Sequence, residues 1–414
     1  MLRDLYPRAY RRYLALPLLG PLVEAFDAWA VQQGYRRDAR HHNVHALSWI
    51  DRELRRAGRT LATGIRREDL EACWQRHHRR RPNLSMASRA LLRFLAASGH
   101  LAPSSPRPLS PTRACVQAYA ATLAELHGWA PGTIRQHARI ATAFLTFLGY
   151  DAAPDRLAAL GTEEVEGFLR ATAVRLRRGS LQHTVAALRS VLRFLAGRGR
   201  VPAALAGQID TPRCYREEQL PRAIPWETVR ALLAAIDQAA PLGLRDYTLL
   251  FLVATYGLRA CEVVTLTLDA IDWRTGVLQI PPRKRGMPLT LPLTDAVARV
   301  LIRYLRHGRP ATRRRELFLR GRAPAGPLQP SAVSELFQAW VRRSGLPIPF
   351  QGPHCLRHAA AVHLLRQGVS LKALGDLLGH RTAESTQTYL RLAVDDLRSV
   401  PLPVPTPRGE EVTA

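Results

Sequence analysis

The chain has 414 residues, 47% apolar and 22% charged, with 60 lysines and arginines against 33 acids and a formal net charge of +27. That length exceeds one ordinary core and predicts two or three domains, while the composition excludes a disordered or fibrous chain. The excess charge is spread along the chain, with 19 arginines against 9 acids over residues 1–100 and 13 against 6 over 101–200, as expected of a protein that surrounds a polyanion such as nucleic acid.

At the front, Arg11 and Arg12 precede the run LALPLLGPLV, which Pro17 and Pro21 interrupt and no cleavage site follows. It reads as mature protein rather than a signal peptide. No apolar stretch approaches the roughly 20 residues of a membrane span. The five cysteines, Cys73, Cys115, Cys214, Cys261 and Cys355, are odd in number and widely spaced. A reducing, cytoplasmic setting without disulfides or a membrane partner follows.

An internal repeat comes next. RALLRFLAASGHLAP (89–103) and RSVLRFLAGRGRVPA (189–203) agree at seven of fifteen positions, one hundred residues apart. GIRREDLEACW and ALGTEEVEGFL upstream match more loosely, each an acidic helix start followed by apolar residues at helical spacing. That period is too long for a solenoid unit and predicts two copies of a small helical bundle. PSSPRPLSP separates them, and DTPRCYREEQLPRAIP (210–225) leads onward. The expected domains are 1–103, 104–209 and 216–400, with a disordered tail over 401–414. In the third domain WETVRALLAAIDQAA and LRDYTLLFLVATYG read as helices, the second stopped by Gly257. Short β-like runs follow: AIDW, a turn at Arg274-Thr275-Gly276, VLQIPP and LTLPL. From Asp295 helix is expected almost to the end. The fold class is therefore mainly α, with two tandem helical bundles ahead of a mostly helical α+β domain holding one small antiparallel sheet.

Of the 60 basic residues only Lys284 and Lys372 are lysine. Lys372, in VSLKALGDLLGH, reads as a helix-surface residue. Lys284 lies between Arg283 and Arg285 in the turn between two strands, and the same domain holds three other unusual segments: ATYGLRACEV, GPHCLRHAAAVHLL and LLGHRTAESTQTYLRL. Together these offer Arg259, Lys284, His354, Arg357, His380 and Tyr389. Two guanidinium forks can hold the non-bridging oxygens of a phosphorane, and a histidine can add a hydrogen bond. A tyrosine can attack phosphorus and keep the bond energy as a phosphotyrosyl ester, so neither ATP nor a metal cofactor is needed. Expelling a 5′-hydroxyl requires a proton. Arginine effectively never releases one, whereas a lysine flanked by cations can. Taken singly, these residues have ordinary readings: Arg259 with Glu262 as a surface ion pair, His354 and Arg357 as solvent-facing, Tyr389 as core. Cys73 with His41, His42, His45, His77 and His78 lacks compact ligand spacing, and Arg79-Arg80-Arg81 beside it would repel zinc; WQRHHRRRP fits a phosphate backbone instead.

The segments resemble the signature of the tyrosine recombinase, or phage integrase, family: Gly257-Leu258-Arg259 with Glu262, Lys284 in a β-hairpin, His354-Cys355-Leu356-Arg357-His358, Leu378-Gly379-His380, and Tyr389 nine residues on. The second bundle is similar to that family's SAM-like core-binding domain; the first is an addition to the minimal pattern and suits flanking DNA or a protein contact. The resemblance implies that Tyr389 attacks the scissile phosphate to leave a 3′-phosphotyrosine and that Lys284 is the general acid. Arg259, Arg357 and His380 would stabilise the phosphorane, His354 would manage the tyrosine proton, and Glu262 would buttress Arg259. It further implies a homo-tetramer on two double-stranded DNA sites, possibly with related recombinase subunits, acting in integration, excision or transposition. A type IB topoisomerase and a catalytically inactive DNA-binding subunit are the alternatives.

Overall fold

The computed structural model describes residues 2–77, 82–103, 109–213, 222–281, 288–380 and 382–390. Two compact units emerge, one formed by Met1–Pro103 with Leu220–Ala414 and the other by Ser104–Gln219.

The N-terminal segment folds as α1 (Leu2–Leu5), α2 (Tyr10–Leu14), α3 (Val23–Gln32), α4 (Arg37–Arg56), α5 (Arg67–His77) and α6 (Pro82–Ala97) around one core. Val44, Leu47, Ile50 and Leu54 recur at helical spacing and turn one face of α4 inward, while His41, His42, His45 and Arg52 remain exposed. The proline-interrupted run near the start is buried in part, through Leu18, Leu19, Leu22 and Val23. Prolines deprive it of a regular ladder, and the buried Asp51 carboxylate accepts the Leu18 and Leu19 N–H groups instead, at 2.9 and 2.8 Å. The core thus begins at Leu2.

The second unit contains α7 (Pro111–Glu125), α8 (Pro131–Phe147), α9 (Thr162–Ala173) and α10 (Arg178–Ala196) around a core that includes Phe144, Phe168, Leu188 and Leu195. Ser110 caps α7, its side chain accepting the Arg113 N–H, with Pro111 at the first helical position.

The C-terminal segment opens with α11 (Trp226–Ala234), α12 (Pro241–Tyr256) and α13 (Ala260–Val264). Next comes an antiparallel sheet of β1 (Ile271–Asp272), β2 (Val277–Ile280) and β3 (Leu289–Pro292), ordered β1-β2-β3, with Leu278 opposite Leu291. Leu278, Ile280 and Leu291 face the core and Gln279 faces solvent, the alternation a half-buried strand demands. The β1–β2 turn needs Gly276 at φ +66°, and Asp272 accepts the Arg274 and Thr275 N–H groups across it.

After α14 (Asp295–His307) the structure departs from the expected continuous helix. Residues 308–329 are irregular, with isolated bridges pairing Thr267 with Glu316 and Leu319 with Pro327. Gly308, Pro310, Gly321, Pro324, Gly326 and Pro327 are the reason: they break helical hydrogen bonding faster than a helix could restart. Helix resumes with α15 (Pro330–Ser344), α16 (His354–Arg366), α17 (Leu371–Leu378) and α18 (Ala383–Gln387). Among the described residues no helix is long and apolar enough to cross a membrane.

Candidate active site

Helix α12 ends because Gly257 adopts the left-handed conformation, φ +63°, as its C-cap. The chain then turns into α13, whose N-cap is Arg259. Glu262, 6% exposed, accepts the Arg259 backbone N–H at 2.8 Å and its guanidinium at 2.7 Å. One carboxylate therefore fixes both ends of Arg259, while the side chain stays about a third exposed. This pair is a built feature of the turn rather than a loose surface contact.

Arg357, in the first turn of α16, is 1% exposed. Its guanidinium donates through Nη1 to the Gly257 carbonyl and through Nη2 to the Leu378 carbonyl at 2.6 Å. Those carbonyls lie at the C-terminal ends of α12 and α17, where helices leave orphan acceptors and partial negative charge. The site thus forms where two helix ends converge on one buried cation.

Helix α17 also ends in a left-handed glycine, Gly379, φ +60°, which delivers His380. His380 Nδ1 lies 2.9 Å from the Thr386 hydroxyl on α18, and its ring is nearly parallel to that of Tyr389 at 5.9 Å. Gly375 lets α18 come close: a Cβ there would meet Thr386 Oγ1 at 3.0 Å. Tyr389 is 2% exposed and packs with Ala361, Val362, Leu374 and Leu378. Burial pushes its phenol above the ordinary value, while Arg357, by charge and hydrogen bond, and Arg259 pull it down. The ring against its hydroxyl is that of His358, with Nδ1 3.1 Å from Oη. His354 lies one ring further out, edge-on to His358 at 4.4 Å between centroids. Loss of hydration lowers both histidines, reinforced for His354 by Arg357, Arg259 and Arg222; His358 falls to about 3.

The structure brings Arg259, Glu262, His354, Arg357, His380 and Tyr389 together at the ends of α12, α16 and α17. Lys284, with Arg283 and Arg285, lies outside the described residues; β2 and β3 are the strands that flank it in the chain. Lys372 is exposed on α17, and together with Asp376 and His380 it lines a cavity of about 300 Å³. No group of three His, Cys, Asp or Glu side chains suited to a metal ion occurs among the described residues.

This geometry coincides with the matches to known proteins. The phage integrase family model covers residues 223–395, and the model of the phage integrase N-terminal SAM-like domain covers 116–199. A relative named "Putative integrase/recombinase y4rA", from Sinorhizobium fredii, is 31% identical over 398 residues, which span 95% of this chain and 97% of that one. The chain belongs to the phage integrase family of tyrosine recombinases. A tyrosine recombinase XerD of Listeria innocua is 31% identical over 226 residues, covering 53% of this chain and 74% of the relative. A solved structure of the XerH recombinase in a post-cleavage complex with palindromic difH substrate aligns with TM-score 0.52 at 15% identity, over 74% of this chain and 92% of that one; it shows the fold. The chain is thus a site-specific recombinase acting on DNA.

Three participants in this recombinase's site escaped the sequence reading. His358 was visible in H-x-L-R-H, but only the fold reveals that its ring, rather than that of His354, reaches the tyrosine. Thr386 carries no motif signal of its own. Arg222, exposed at the entry to the C-terminal segment, acts electrostatically on both His354 and His358.

Proposed function

We propose that this recombinase cleaves and rejoins DNA through Tyr389, with Arg259, Arg357 and His380 stabilising the phosphorane, His354 beside the tyrosine proton path, Glu262 holding Arg259 and Lys284 as general acid. The Tyr389 oxygen bonds to phosphorus as its phenol proton passes to His354 and the P–O5′ bond breaks, the departing 5′-oxygen takes a proton from Lys284, and a 3′-phosphotyrosine remains. A free 5′-hydroxyl of the exchanging strand reverses these steps. The observation that carries this reading is one buried guanidinium, Arg357, held by two helix ends and acting on the phenol of Tyr389. Such a donor, worth on the order of 10²–10³ in rate, needs neither metal nor nucleotide.

We assign residues 216–400 to catalysis, 104–209 to core DNA binding, 1–103 to an arm-like domain for flanking DNA and 401–414 to a tail. The first bundle is read as a second copy of the SAM-like bundle. Ala87, Leu91 and Leu95 are buried one hundred residues before the buried Ala187, Val191 and Leu195. Gly99 and Gly199 are both left-handed, at φ +70° and +65°, and the His100 and Arg200 N–H groups return to the Leu95 and Leu195 carbonyls at 2.9 and 3.0 Å. The assembly is a homo-tetramer on two duplex sites in the cytoplasm, alone or with related subunits, serving integration, excision or transposition.

The test uses nicked suicide duplexes carrying the ends of the protein's own element, without metal, run on a denaturing gel. A covalent band is expected that vanishes in Tyr389→Phe; its persistence there refutes the nucleophile. Lys284→Arg should lose cleavage and regain it on a 5′-thiol leaving group, which needs no proton. Absence of any adduct on cognate DNA would favour the inactive-subunit reading.

A further inference from the structure

We propose that His358 is the positioning residue of the nucleophile: its neutral imidazole accepts the Tyr389 hydroxyl at Nδ1 and thereby orients the phenol oxygen towards Arg357. This rests on the reading of Tyr389 as nucleophile. The geometry comes first. Nδ1 and Oη are 3.1 Å apart with the rings tilted by 54°, and Tyr389 is 2% exposed, so its hydroxyl must find partners within the protein. Arg357 faces the same oxygen, and a guanidinium can only donate. It therefore occupies an oxygen lone pair and leaves the phenol proton without an acceptor. His380, stacked on the Tyr389 ring, has its Nδ1 engaged with Thr386. His358 Nδ1 is the acceptor at hand, which fixes its proton on Nε2.

The surroundings hold His358 in that form. His354 lies edge-on to it, and Arg357, His380 and Arg222 all disfavour a second proton, so the ring stays neutral across the physiological range. His358 sets where the oxygen points before attack, and the phenol proton passes to the neighbouring His354 as the Tyr389 oxygen bonds to phosphorus.

The experiment uses the full chain with 3-fluorotyrosine at position 389, in wild type, His358→Leu and His358→Asn; asparagine returns a polar atom near the place of Nδ1. Fluorine NMR follows ionisation of residue 389 with pH, and the suicide duplex gives the cleavage rate, with duplex affinity as the folding control. In His358→Leu the neutral phenol loses its acceptor while the phenolate keeps Arg357, so ionisation moves to lower pH. Cleavage falls on the order of 10²-fold through misorientation, with affinity held within roughly twofold. His358→Asn restores cleavage to within roughly tenfold of wild type. Wild-type titration in His358→Leu overturns the proposal whether cleavage survives or is lost, because loss without a change at the phenol is ordinary structural damage. An adduct that persists in Tyr389→Phe instead strikes the nucleophile reading and leaves the fluorine titration to judge the contact by itself.

Discussion

Gly257→Ala tests the link between fold and site most directly. Two separate costs meet at this position. An alanine must hold φ +63°, which costs about 1–2 kcal/mol for a residue with a Cβ. That Cβ would also lie 2.5 Å from Leu378 Cδ2 and 3.6 Å from Arg357 Cγ. The first contact is impossible without movement, and forcing an extra methyl into a packed site costs about 1–3 kcal/mol. Together these predict about 2–5 kcal/mol of destabilisation in chemical denaturation followed by tryptophan fluorescence. Gly345→Ala is the control, since Gly345 caps α15 at φ +66° with nothing within 4 Å of its would-be Cβ and should lose only the left-handed strain, about 1–2 kcal/mol. Leu378 is fully buried, so Leu378→Ala alone should cost about 2–5 kcal/mol. The double variant should cost less than the sum, because the truncated side chain makes room for the new methyl. Cleavage by Gly257→Ala, normalised to the folded fraction, should fall on the order of 10²-fold as Arg357 loses its seat on the Gly257 carbonyl. If Gly257→Ala costs no more than Gly345→Ala, or the double variant is strictly additive, the account of this junction is wrong.

Three further outcomes follow from the same geometry. Thr386→Val removes the hydroxyl that faces His380 Nδ1 and should slow suicide cleavage about tenfold, one hydrogen bond's worth, without changing duplex affinity. His354 and His358 are depressed in the folded state, so the unfolded chain takes up protons first as pH drops below the ordinary histidine value of 6.5. Stability present above pH 6.5 should therefore be lost progressively towards about pH 3, and His358→Asn should show a shallower loss in denaturation midpoints measured across that window. Gly99→Ala and Gly199→Ala, both in open space, should each cost about 1–2 kcal/mol; a large difference between them would count against equivalent helix ends in the two bundles.

How legible each feature was in the sequence depends on how local its cause is. Gly257 announced the end of α12, and Gly379 lies between the last residue of α17 and the histidine it delivers; both stops are single-residue backbone effects. The strands around Gly276 likewise followed from alternation and turn chemistry. The irregular stretch over 308–329 was also written in its glycines and prolines, and the expectation of continuous helix gave apolar periodicity more weight than those breakers. What no local pattern could reveal is which of two histidines, four residues apart on one face of α16, meets the tyrosine. That choice is made by the approach of α18, which depends on the missing side chain at Gly375 and the placement of Thr386. The carbonyl seat of Arg357 was equally hidden, since it exists only once the ends of α12 and α17 converge.

That seat changes how variants of this site must be read. A guanidinium buried to 1% exposure would ordinarily be a severe cost, and here the ends of two helices offset it. The same donors keep α12 and α17 together, so Arg357 is as much part of the architecture as of the chemistry. Arg357→Lys keeps the charge but loses the fork that reaches both carbonyls at once, and must therefore weaken the fold along with cleavage. Arg259 differs. Its side chain is about a third exposed and its anchor, Glu262, belongs to its own turn, so Arg259→Lys should lower cleavage while leaving the denaturation midpoint almost unchanged. Two arginines with the same expected task on the phosphate are thus separable by stability alone. Equal loss of stability in both variants would show that the convergence of helix ends does not distinguish them.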